Sequence, residues 1–248
     1  MAKLSKAPLQ EVLFEVKWDL EQGIQGITTD PGFALAQGKF QEKVRARFPH
    51  FVRKTPPWAS ELVFPYQVIN QHWASEQEWP VVQLGPGILA VNDTELNYEW
   101  ESNFLPMVQF VLHALKESYD TPLDIQFAGL RYIDAVKMNN YGKDLTPLEF
   151  VNQHFNIELK RNYYVGGASC GLHFEEVVDM DNQTKLKIAI NSGKYRRTDN
   201  DAIIWQTSLE KHSSFDLEQL LSWLEEAHTV SSSLFKSMLK PAFYASFS

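Results

Sequence analysis

The sequence predicts a mixed α+β fold: two βαβββα halves that form a curved antiparallel sheet with helices packed on one side. Three observations lead there. Short apolar runs with strict alternation recur along the chain, the mark of half-buried strands. The order strand, helix, three strands, helix occurs twice, over residues 1–120 and again over 121–248. Aromatic residues make up 13% of the chain, which suits the pleated surfaces that such side chains fill. The halves share little residue identity, so the repeat is one of pattern, and the two together are read as one compact unit.

In the first half, EVLFEVKW (11–18) sets Val12, Phe14, Val16 and Trp18 on one face. A helix follows over 30–48. Asp30 suits its cap and Pro31 its first position, while Phe33, Ala36, Phe40, Val44 and Phe48 supply the apolar stripe. Gly38 weakens the middle of that helix. Strands are expected at 61–73, 79–85 and 88–94. The last two are joined by Gly85-Pro86-Gly87, and Pro65 assigns the first to an edge or a bulge. A helix over 106–119 closes the half.

The second half opens with a strand at 123–138. A short helix over 145–155 is announced by Thr146, Pro147 and Glu149, a capping box with proline at the first helical position. Strands at 168–180, 185–195 and 202–211 turn at Asp181-Asn182 and Asp199-Asn200. A long helix runs from about Asp216 to Lys240 and stops at Pro241.

Composition narrows the function. The net charge of −8 argues against a protein that grips a nucleic acid backbone through a generally basic surface. Cys170 is the one cysteine, so an internal disulfide and a cysteine zinc site are both excluded, and a free thiol fits a reducing compartment. The opening residues lack the apolar run of a signal peptide, and no stretch reaches the ~18 apolar residues of a membrane span. A cytoplasmic protein is expected.

No motif names a reaction. LGPGIL lacks the spacing and the lysine of a phosphate-binding loop and reads as a hairpin turn. The seven histidines form no HExxH pattern. His173, Glu175 and Asp179 share one strand face, which reads as solvated rather than metal-binding. Basic residues gather at Lys39, Lys43, Arg45, Arg47, Arg53 and Lys54, at Lys194, Arg196 and Arg197, and at Lys160 and Arg161 beside Tyr163 and Tyr164. They read as solvated surfaces, with single-stranded nucleic acid as the alternative.

The stretch FAGLRYIDAV (127–136) holds the candidate binding residues. Arg131 and Asp134 lie in an otherwise apolar strand, on opposite faces. A guanidinium keeps its proton, so Arg131 must be paired or reach water. Glu15 and Glu176 are the expected partners, against an open arginine awaiting an anionic ligand. His228 falls on the apolar stripe of the last helix with Leu221, Leu224, Ser231 and Phe235.

KAPLQEVLFEVKW at the start, VVQLGPGILAVN at 81–92, YEW at 98–100, GLRYID at 129–134, and LEEAH with Phe235 in the last helix together resemble a sporadically distributed family of uncharacterised bacterial proteins of about this length. Each half also resembles one copy of the TATA-box-binding-protein plan. The family resemblance implies an accessory role, in defence or toxin–antitoxin loci, and carries over no catalytic residue. The sequence therefore favours a non-catalytic binding or regulatory protein, an inhibitor or antitoxin, with a protein partner and no cofactor. Its candidate binding residues are Arg131, Asp134, His228, Arg196 and Arg197. The alternatives are a nucleic-acid binder using a saddle-like sheet and a small-ligand binder or enzyme around Arg131.

Overall fold

The structure is a computed structural model that describes residues 4–22, 28–56, 64–76, 78–94, 96–142, 144–163, 166–167, 169–180, 183–195 and 198–248. Its elements follow the chain as β1 (Leu9–Trp18), β2 (Glu21–Gln22), β3 (Thr28–Thr29), α1 (Phe33–Val44), β4 (His50–Arg53), β5 (Asn70–Ser75), β6 (Glu78–Gly85), β7 (Ile88–Asp93) and α2 (Leu105–Lys116). Then come β8 (Ile125–Lys137), α3 (Pro147–His154), β9 (His173–Asp179), β10 (Thr184–Lys194), β11 (Asp201–Phe215), α4 (Leu217–Met238) and α5 (Pro241–Ala245). The fold is mixed α+β, built on a nine-stranded sheet of order β4-β5-β6-β7-β1-β8-β11-β10-β9. Within that order β1-β7-β6-β5 in the first βαβββα run is repeated as β8-β11-β10-β9 in the second. Strand β4 and the β2–β3 ribbon are additions to the first run.

The chain forms two compact units. One comprises 12–130 and 210–224; the other comprises 1–11, 131–209 and 225–248. In the first unit, antiparallel register places Phe14 opposite Val91, Val91 opposite Val82, and Val82 opposite His72. The face they share is buried, and Phe40 of α1 meets the His72 ring edge-on at 5.5 Å. The hairpin between β6 and β7 turns through Pro86 and Gly87, the latter at φ +76°, where a Cβ is disfavoured. At Gly85 a Cβ would lie 1.8 Å from the Gln67 carbonyl oxygen, so only glycine fits.

In the second unit the part of α4 from residue 225 onward, α5 and the end of α3 lie on one face. Trp205 of β11 is fully buried there, edge-on to Phe155 at 5.3 Å and stacked on Phe235 at 6.4 Å. Helix α3 has the expected capping box: Thr146 accepts from the Glu149 amide, and Glu149 accepts from the Thr146 amide.

Three expectations are corrected. Pro65 does not sit in a strand; it belongs to a turn ahead of β5, and residues 61–63 lie outside those described. The edge strand is instead β4, whose four residues are all exposed and so carry no alternation to read. Pro241 does not merely stop a helix but opens α5, where its missing N–H costs nothing. Asp30 does not cap α1 with its side chain; the N-cap is Gly32.

The Asp30 carboxylate serves a different purpose. Its Oδ2 accepts from the Trp18 indole at 3.0 Å, the Tyr119 hydroxyl at 2.8 Å and the Gly87 amide at 3.2 Å. Asp30→Ala strands these donors, and should destabilise the fold by roughly 3–5 kcal/mol in a denaturant titration. Gly38, exposed in mid-helix with open space around its would-be Cβ, gives the opposite expectation. Gly38→Ala should stabilise by about 0.5–1 kcal/mol, because alanine has less backbone freedom to lose.

Candidate functional site

Strand β8 carries the candidate residues, and its two faces differ. Tyr132 is on the helix-covered face, where its hydroxyl meets His228 Nδ1 of α4 at 2.9 Å. Alternation puts Asp134 on that same face and Arg131 on the other. The structure thus places Asp134 and His228 on one side of the strand and separates both from Arg131. Arg196 and Arg197 lie outside the described residues.

The covered face is a polar layer inside an apolar setting. Asp134 is buried, with only 5% of its surface exposed. Burial raises its pKa from the ordinary carboxylate value to about 8, so it is a neutral acid at pH 7. His228 is half-buried, and burial lowers its pKa to about 4. The neutral ring then offers a nitrogen that can accept from the Tyr132 hydroxyl. Ser231, one turn after His228 on α4, and Trp205, stacked on Phe235 a turn further, hold a buried hydroxyl and a buried indole N–H with no hydrogen-bond partner. Tyr132, Trp205 and Ser231 do not stand out in the sequence. Alternation could have placed Tyr132 beside Asp134, but an indole or a serine looks the same in a satisfied core and in an unsatisfied one.

Arg131 faces the other way and is partly exposed. Its Nε is enclosed and has no hydrogen-bond partner. The carboxylates expected to neutralise it are placed elsewhere. Glu15 pairs with Lys17 at 2.8 Å. Glu176 stands opposite the buried Ile188, on the side of the sheet that Arg131 does not face. Among the described residues no ion pair engages the Arg131 guanidinium, so the structural pairing expected from the sequence is not formed.

The basic groups are largely spoken for. Lys39 pairs with Asp120 at 2.5 Å and Lys43 with Glu117 at 2.7 Å. Arg47 lies 4.6 Å over the Phe110 ring, Lys160 pairs with Glu158 at 2.6 Å and Lys194 with Asp201 at 2.8 Å. Among the described residues no group of three or more His, Cys, Asp or Glu is placed to hold a metal ion, and no helix is long and apolar enough to cross a membrane. Cys170 is exposed.

No family model, no curated protein and no solved structure matches the chain.

Asp134 makes stability depend on pH with a definite sign. Its folded pKa lies above its unfolded one, so between the two the folded state holds a proton that the unfolded chain has released. The stability this proton confers is complete below about pH 4 and is lost as pH rises to about 8. His228 acts oppositely, weakening the fold as pH drops from about 6.5 to about 4. Asp134→Asn should therefore gain stability relative to the parent as pH rises from 5 to 8, on the order of a few kcal/mol. Denaturant midpoints at a series of pH values read this directly; a constant offset between the two proteins contradicts it.

Proposed function

We propose that this chain is a non-catalytic binding protein that takes an anionic group of its partner, a carboxylate or a phosphate, at Arg131. One observation carries the reading: a guanidinium that cannot shed its charge sits on a strand of the sheet without a neutralising carboxylate among the described residues. A planar fork of N–H donors is suited to two-pronged bonds with carboxylate or phosphate oxygens. The Tyr132–His228 pair and Asp134, on the covered face, play no part in this contact.

The partner we favour is a protein, in keeping with the inhibitor or antitoxin role that the family resemblance suggests. The nucleic-acid alternative is weakened by the ion pairs that occupy Lys39, Lys43, Lys160 and Lys194. The proposed contact needs no cofactor.

Arg131→Met tests it. With no buried carboxylate left behind, the variant should melt at the parent's temperature or above it, since an apolar side chain replaces a desolvated charge. The parent's melting temperature should rise with added citrate or inorganic phosphate, and the variant's should not. A variant that loses several degrees would show that Arg131 is structural. An equal response to the anions in both proteins would show that the anion binds elsewhere.

A further inference from the structure

The two edge strands of the nine-stranded sheet are built differently. Strand β4 has four residues, HFVR, and Lys54 follows them. It is short and basic, which is the usual protection of an edge. Strand β9 has seven residues, HFEEVVD, and pairs with β10 without a break from His173 opposite Asn191 to Asp179 opposite Lys185. All of its residues are exposed except Phe174, which is half-buried. Val177 and Val178 are 50% and 38% exposed. A lysine, a proline or a bulge, the devices that usually blunt an edge, are missing from it.

The free backbone groups can be placed. The Ser192 amide donates to the Leu172 carbonyl at 2.9 Å, and the Met180 amide donates to the Thr184 carbonyl at 2.8 Å. Hydrogen-bonded pairs alternate along an antiparallel ladder, so the even-numbered residues of β9 bond to β10. The peptide groups of His173, Glu175, Val177 and Asp179 then point away from the sheet. The strand's carboxylates can be sorted as well. Asp179 lies 3.8 Å from Lys185, whereas Glu175 and Glu176 enter no ion pair among the described residues. Being consecutive, these two glutamates stand on opposite faces of the sheet.

We propose that β9 takes up, as an added antiparallel strand, an extended basic segment of a partner protein: two β-branched residues followed by two lysines or arginines. Charge complementarity selects this occupant. Side chains directly opposite each other across a strand pair interact, opposite charges favourably and like charges unfavourably. In an antiparallel partner the residues opposite Val178, Val177, Glu176 and Glu175 follow one another in that order. The β-branched pair therefore covers both exposed valines. The two basic residues then meet one glutamate on each face of the sheet. The outward peptide groups of Glu175 and Val177 bond to the backbone of the segment, as in other cases of strand addition. The same charge rule disfavours a second β9 here, since it would set carboxylates against valines and against one another. The contact is made by the strand edge and is independent of the anion contact at Arg131.

An NMR titration tests the proposal with a capped peptide of two valines followed by two lysines between flanking threonines, taken to millimolar concentration. The amide signals of β9 should shift, and the Glu175 and Val177 amides should gain protection from hydrogen exchange. A peptide with glutamates in place of the lysines should bind at least several-fold more weakly. The double variant Glu175→Lys, Glu176→Lys should reverse that preference. Val177→Pro removes an outward N–H that β10 does not use, a position where edge strands accept proline. It should lose the peptide while keeping the parent's melting temperature, and Arg131→Met should bind the peptide as the parent does. No shift at millimolar peptide, or shifts confined to other strands, overturns the proposal. So does an equal response to the two peptides, or a double variant that still prefers the lysine peptide. A parent whose Glu175 and Val177 amides become protected as its own concentration rises would give the edge to a second copy and overturn it too.

Discussion

One carboxylate oxygen holds the first compact unit together. Asp30 Oδ2 gathers the indole at the end of β1, the amide of the β6–β7 turn and the hydroxyl of Tyr119 just past α2. Each donor comes from a different element, and charge-assisted bonds are stronger than neutral ones. The site fixes where β1 ends, how the hairpin sits beside it and where the residues after α2 dock. Trp18 and Tyr119 are edge-on at 5.7 Å around the same point, so the polar anchor and the aromatic packing reinforce one another. Burial and the bond to Asp30 both keep the Tyr119 phenol protonated, its pKa raised well above the usual value.

Strand β8 is the equivalent organiser of the candidate site, through its asymmetry. On the covered face burial favours the neutral forms: Asp134 keeps its proton and His228 lacks one, so these two groups bring no net charge to the face beneath α4 at pH 7. On the other face Arg131 keeps its charge unconditionally. Three residues apart, a carboxyl and a guanidinium that would neutralise one another in solution are kept apart by the period of a strand. Among the described residues no ion pair takes up that charge, and the Arg131 Nε has no hydrogen-bond partner.

Much of the fold is legible in the sequence because burial alternates. Val12, Phe14, Val16 and Trp18 announce β1, and all four are buried. Thr146 and Glu149 announce α3 by local chemistry alone. Strand β4 is invisible for the opposite reason, since HFVR is exposed on both faces and leaves no apolar rhythm. The role of Asp30 is invisible because its three donors lie at residues 18, 87 and 119. In sequence it looks like a helix cap, and only tertiary structure recruits it elsewhere. At the site, the alternation of β8 correctly assigns Arg131 and Asp134 to opposite faces. The neutralising carboxylate at Arg131 fails as an expectation because strand neighbours do not determine which charges share a face at the same depth. Glu15 has a lysine two residues along its own strand, and that partner is always nearer.

The strand order has a consequence for how the chain is made. In each βαβββα run the first strand lies beside the last, β1 beside β7 and β8 beside β11. A nascent β1 therefore has no neighbour for its hydrogen-bonding edge until the ribosome has delivered Asp93, the last residue of β7. At about 5–20 residues per second the wait is on the order of several seconds to fifteen. Through that interval an alternating apolar strand is exposed at the tunnel mouth, while the local hairpin β6–β7 can close within microseconds of emerging. Vectorial synthesis thus favours the hairpin as the template and β1 as the strand that is captured. Strand β1 is therefore also the one for which a chaperone has the longest opportunity to bind.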